Sequence, residues 1–226
     1  MKTVLLASVL AVSVGQAGSA EVAGKVPRAA SGRMQFTAQK FNPPGDKKLK
    51  VLYNQNSNDT GESVDSQSFE SSFSAYDDQG ADDFVVPFGS IWKIREVDVT
   101  GVYFNGSGPA ASENIFFYKD DRGEPGKQIA SASNLNGKHD ASGSFAIEVP
   151  TVTLKAGTYW VSVQANCSFE GGCGEWGWEV SSVQHGNQAE WRNPNEHMGG
   201  CPSWGPIETC VNASGPDFMF RLRGSD

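Results

Sequence analysis

Basic residues are scarce in this chain: 18 Lys and Arg stand against 26 Asp and Glu over 226 residues, a formal net charge of −8. That balance argues against a surface for nucleic acid or for anionic membranes. Cysteine is scarcer, at 4, and too thin for a miniature disulfide scaffold. The 3 histidines, His139, His185 and His197, fall in no HExxH or related spacing. The chain also lacks a GxSxG elbow, a P-loop, a dinucleotide glycine pattern, an internal repeat and a helical stripe of useful length. After the first twenty residues no apolar run approaches the ~18 residues of a membrane span. With 38% hydrophobic residues, there is still apolar mass for one sizeable core.

The start of the chain has its own composition. Lys2 precedes an apolar run from Val4 to Val14, and small residues end at Gly18-Ser19-Ala20, the three-part pattern of a secretory signal peptide. Residues 1–20 are therefore expected to direct export, to the outside or the periplasm, with the mature chain beginning near Glu21. Residues 21–50 are poor in large aliphatics and broken by Pro27, Pro43 and Pro44, which reads as a weakly ordered N-terminal segment or a cleaved pro-segment. Residues 51–226 form the expected folded domain.

From Val51 onward, apolar residues recur with period two. Val97, Val99 and Tyr103 share one parity, as do Ile115 and Phe117, then Phe145, Ile147 and Val149, then Tyr159, Val161, Val163 and Ala165. Trp176, Trp178 and Val180 follow, and finally Phe218, Phe220 and Leu222. Parity slips between Ile94 and Val97, which predicts a bulge or an edge bend across Arg95-Glu96. Turn clusters lie at Asn105–Pro109, Asp120–Gly126 and Lys155-Ala156-Gly157. Many short alternating strands without helices to cover a parallel sheet predict an all-β fold: an antiparallel, jelly-roll-like β-sandwich.

The stretch Gly80-Ala81-Asp82-Asp83-Phe84-Val85-Val86-Pro87, then Ile91-Trp92-Lys93-Ile94, Phe117-Tyr118-Lys119-Asp120, Pro125-Gly126 and Leu154–Val161 resembles β-sandwich accessory domains of bacterial secreted proteins. The resemblance covers about residues 52–224 and implies an architecture and an extracellular address. It supplies no catalytic residue.

In an exported chain the four cysteines should pair. Of the three possible connectivities the expected one joins Cys167 with Cys173 and Cys201 with Cys210, each closing a short polar loop whose Gly and Pro permit the turn. Cys167 with Cys210 and Cys173 with Cys201 would staple two neighbouring loops instead. Acids are concentrated between Val51 and Trp92, where Asp59, Glu62, Asp65, Glu70, Asp77, Asp78, Asp82 and Asp83 occur without a Lys or Arg. Asp77, Asp78, Asp82 and Asp83, on a glycine-containing loop, offer oxygens for a structural calcium ion; the other reading is a solvated acidic loop, with Asp82 or Asp83 bonding backbone amides as the chain enters a strand. No other cofactor is implied. Asp98, Glu113, Glu175, Glu179 and Glu190 are available as carboxylates for a small exported hydrolase, but nothing in their spacing singles out a pair.

Five of the six tryptophans lie in the last third of the chain. Trp160 has opposite parity to Val161 and Val163 and should stand on the polar side of its strand. Trp176 and Trp178 sit among Gly174, Glu175 and Gly177, which would leave indole faces approachable. With Trp191, these rings are the candidate ligand-binding residues, since a flat aromatic beside amides and carboxylates suits the CH face of a sugar. Trp92, beside Ile91 and Ile94, reads as core. The expectation is a secreted, non-catalytic module binding an extracellular carbohydrate or cell-wall polymer, with a structural or adhesive surface protein as the alternative.

Overall fold

A computed structural model describes residues 49–198 and 200–226; the leader at 1–20 and most of the 21–50 segment lie outside the described residues. In chain order the strands are β1 (Lys50–Asn54), β2 (Asp59–Asp65), β3 (Gln67–Ser68), β4 (Gln79–Val99), β5 (Gly101–Phe104), β6 (Ser112–Asp120) and β7 (Pro125–Leu135). Then come β8 (Lys138–His139), β9 (Phe145–Asn166), β10 (Glu175–Ser181), β11 (Glu190–Arg192), β12 (Gly205–Pro206), β13 (Asp217–Phe218) and β14 (Phe220–Ser225). A single turn of helix, α1 (Ile207–Cys210), follows β12.

The large sheet runs in the order β1-β14-β4-β9-β6-β7, with β11 and β12 added at the start of β4. The small sheet is β13-β10-β2, with β5 also pairing β10. Pairing is antiparallel apart from the short β3–β9 ladder. The two sheets pack face to face because each strand turns its alternating apolar residues inward. Phe84, Val97, Val99, Ile115, Phe117, Phe145, Ile147, Val161 and Val163 from one sheet meet Val64, Trp176, Trp178, Val180 and Phe218 from the other. Thus the fold is the all-β sandwich that the period-two pattern implies.

β4 and β9 form a long antiparallel ribbon from Asp82–Val161 to Val99–Phe145, and its register shifts twice. One shift falls between Ile94 and Glu96, where the parity slip predicted a bulge or an edge bend. The other corrects the expected turn at Lys155-Ala156-Gly157. These residues lie inside β9, and β4 bulges out opposite them, between Val86 and Ile91. The disulfides join Cys167 to Cys173 and Cys201 to Cys210, with Cα atoms 5.6 and 5.3 Å apart, which settles the connectivity left open by spacing.

On the outer face of the large sheet, β4 and β14 carry a buried ion cluster. Arg221 and Arg223 donate to the Asp98 carboxylate at 2.6 and 2.8 Å, and Arg223 lies 3.3 Å from Glu96. Both acids are fully buried beneath these guanidiniums. Such a pair is costly to break from one side, because the surviving charge has no solvent to turn to.

Candidate functional site

The four tryptophans proposed for ligand contact are all buried, each at 0% exposure, and the expectation of open rings is corrected. Trp176 stacks on Phe145 across the sandwich, centroids 4.8 Å apart, and its indole N–H donates to the Gly143 carbonyl at 2.7 Å. Trp178 stacks on Phe218 at 4.6 Å and donates to the Met219 carbonyl at 2.9 Å. Trp191 donates to the Asp65 carbonyl at 2.9 Å. Glycine does attend these rings, with the opposite effect to the one expected. A Cβ on Gly101, in the neighbouring strand β5, would come within 2.5 Å of the Trp176 indole, so this glycine lets backbone close over the ring. Trp92 is core as expected, parallel to Phe84.

The carboxylates proposed for calcium are likewise drawn into the fold. Asp82 and Asp83 lie inside β4 and are not on a loop. Asp77 accepts the Phe69 amide and Asp78 the Gln67 amide, both at 2.7 Å. Asp82 accepts the Phe218 amide and the Gln55 side chain, and Asp83 is held by Asn187. Backbone amides and the Gln55 and Asn187 side chains donate to these oxygens. Among the described residues no group of three or more His, Cys, Asp or Glu is arranged to hold a metal. The carboxylates considered for hydrolysis are dispersed: Asp98 is in the arginine cluster, Glu113 meets His139, and Glu175 accepts from Asn105. His185 faces Asp217 at 3.6 Å.

What the structure assembles is a patch on the outer face of the large sheet. Trp160 stands there, as its parity implied, opposite Asp83 on β4 and Tyr118 on β6. Its indole N–H donates to Asp120 at 3.0 Å. Ala81, Tyr118 and Trp160 form a second apolar cluster against which Phe116 and Trp204 pack, both half-buried. Trp204 comes from the loop closed by the Cys201–Cys210 bond and lies over this cluster, edge-on to Tyr118 at 5.8 Å.

The Arg192 guanidinium sits 4.3 Å from the Trp204 ring centroid. From β11 it donates twice to the Gln79 side-chain oxygen, at 3.1 and 2.6 Å. The Gln79 amide in turn donates to the Tyr118 hydroxyl at 3.0 Å and to Ser162 at 2.8 Å. Beside this chain, Asn114 bonds Gln164 and Asn166. Burial, with the charge of Glu124 nearby, pushes the carboxyl of Glu190, two residues before Arg192 in β11, up to about 8. The result is two half-buried rings beside the half-buried Arg192 guanidinium and the half-buried amides of Asn114, Gln164 and Asn166, while Gln79, Tyr118 and Ser162 are buried; such rings and polar groups suit a ligand that stacks and hydrogen-bonds.

Phe116 and Trp204 were not among the residues singled out. Phe116 has a signal in its parity, opposite to that of Ile115 and Phe117, and Trp204 in its place within a short cystine loop. An apolar pocket of about 300 Å³ opens elsewhere, on the inner face beside β7, lined by Ile115, Phe117, Ile129, Val149, Val152 and Leu154. It brings none of the candidate site residues together.

By fold, then, the chain is a two-sheet antiparallel β-sandwich with a polar, partly aromatic patch on its larger sheet. No family model matches it, and no curated protein does. Among solved structures it is similar to the cysteine protease and lectin-like domains of Cwp84, a surface layer associated protein of Clostridium difficile. That similarity has a TM-score of 0.47 and 13% identity over 66% of this chain and 32% of the other, so the chain spans about a third of that protein's length. Likeness of this degree carries no function across.

Proposed function

We propose that the chain is a secreted, non-catalytic module that binds an extracellular carbohydrate or cell-wall polymer on the outer face of its large sheet. The observation that carries this reading is the half-buried Trp204 ring, fixed over Arg192 and bordered by Phe116, Tyr118 and the Gln79–Ser162 hydrogen bonds. A sugar would stack on Trp204 and Phe116 and exchange hydrogen bonds with the guanidinium and the amides. Two disulfides fit an oxidising, extracytoplasmic address.

The test is depletion of the purified protein from solution by insoluble polysaccharides and cell-wall fractions. Trp204→Ala and Phe116→Ala should each weaken retention about ten-fold, the loss of one stacking contact of about 1.5 kcal/mol, and move melting by only a few degrees. Retention that survives both substitutions removes the patch from consideration. If no fraction depletes the native protein, the structural or adhesive alternative takes its place.

A further inference from the structure

We propose that the β4–β9 ribbon docks on the surface of an anionic lipid bilayer, with Phe88 entering its apolar layer. Among the described residues the exposed large hydrophobics include Val85 at 50%, Phe88 at 101% and Ile91 at 49%, three within one seven-residue stretch. They share a cause. Residues 87–90 of β4 form the bulge opposite Ala156, and Gly89 takes φ +83°, a conformation open to glycine, with nothing within 4 Å of where a Cβ would sit. The bulge therefore holds the Phe88 ring wholly in water, where an aromatic side chain contributes nothing to the fold.

The charge around the ring is the second observation. Residues 84–95 and 149–159 contain no Asp or Glu, in a chain that has 26. They do contain Lys93, Arg95 and Lys155, all exposed. Register places Ile91 opposite Lys155 and Lys93 opposite Thr153, so these two lysines stand on the same outer side of the ribbon as Ile91. The net charge of −8, which argues against an anionic membrane for the chain taken as a whole, has its source elsewhere: residues 51–83 hold eight acids and no base. The molecule is thus polarised, and its basic, apolar end is complementary to an anionic, apolar surface. A sugar polymer offers no apolar phase for Phe88, which is why the bilayer is the occupant. This inference shares no residue with the carbohydrate patch.

Co-sedimentation of the full chain with phosphatidylcholine vesicles, with and without about one-third phosphatidylglycerol, tests the proposal. Binding is expected to the anionic vesicles at about 0.05 M salt, and at least about ten-fold less at about 0.5 M salt or with phosphatidylcholine alone. Phe88→Ser should weaken it about ten-fold with no change in melting temperature, since the ring is fully exposed. Lys93→Glu combined with Lys155→Glu should weaken it similarly. The proposal is overturned if the anionic vesicles fail to bind the protein at low salt, or if binding ignores Phe88→Ser. It is equally overturned if Phe88→Ser abolishes a concentration-dependent dimer while vesicles bind nothing, which would assign the ring to a second copy of the chain.

Discussion

Raising the pH from about 5 to about 8 should lower the melting temperature by about 10 °C or more. The cause is a set of acids that the fold holds out of water. Burial pushes Asp65, Asp78 and Asp82 well above the ordinary carboxylate range, and mutual repulsion among Asp65, Asp78 and Glu175 adds to it. Burial also raises Asp83 to about 6, Glu175, Glu179 and Asp217 to about 7, and Glu190 to about 8. Among the described residues both oxygens of Asp65, Oδ2 of Asp78 and Oε1 of Glu175 have no hydrogen-bond partner, so ionised Asp65 is uncompensated, and ionised Asp78 and Glu175 are held only through their other oxygen, by Gln67 and Asn105. In the unfolded chain these groups lose their protons near pH 4; in the folded protein they keep them until pH 6 to 8 or beyond.

Stability from such groups is complete below pH 4 and is lost as the pH rises through the folded values, at about 1.4 kcal/mol per group and pH unit before coupling reduces the sum. Thermal melts across this range check the prediction. Asp65→Asn, which keeps the shape and removes the charge, should raise melting at pH 8 and leave it little changed at pH 5. A profile that is flat or rising toward pH 8 would show that water or cations reach these carboxylates.

The second large effect is on the tryptophans. Trp178→Ala should cost about 3–5 kcal/mol, because it removes a fully buried ring stacked on Phe218 and one of the two donors, with the Thr100 amide, to the Met219 carbonyl. For a domain of this size that is a fall of about 10–20 °C in melting temperature. Trp176→Ala should behave alike, since the Gly101 backbone and Phe145 both close on its ring. Acrylamide should quench a minority of the intrinsic fluorescence, the share from Trp204, and Trp204→Ala should remove that fraction. Ready quenching of Trp178 emission, or a Trp178→Ala variant that melts like the native protein, would contradict the packing described.

These tryptophans also mark how far the sequence could be read. Strand faces were legible, because parity is local: Trp160 stands opposite in sense to Val161, and the slip at Arg95 is a real register shift. The cystine loops were legible as one of two pairings, since a span of six or nine residues closes easily. Depth was not legible. Whether an outward ring is covered depends on what arrives from distant segments, and both Phe116 and Trp204, the latter 44 residues after Trp160 in the chain, pack against the cluster that holds it. The burial of the acids was hidden for the same reason. Asp82 appears in sequence as part of a charged run, but its partners, Gln55 and Phe218, come from opposite ends of the domain. The candidate patch itself joins β4, β6, β9, β11 and a cystine loop, so no window of sequence contains it.

The first and last described strands are neighbours. β1 pairs with β14, Lys50 lies opposite Gly224, and the Lys50 ammonium meets the Asp226 carboxylate at 2.6 Å. Polypeptide attached before Lys50 and polypeptide attached after Asp226 would leave the sandwich at the same point. Tension applied through the two ends would open the β1–β14 ladder one hydrogen bond at a time, as a zipper, instead of loading all of its bonds together in shear. The fold is therefore suited to hang from a larger assembly as a side branch, and poorly suited to serve as a link that carries load along its length.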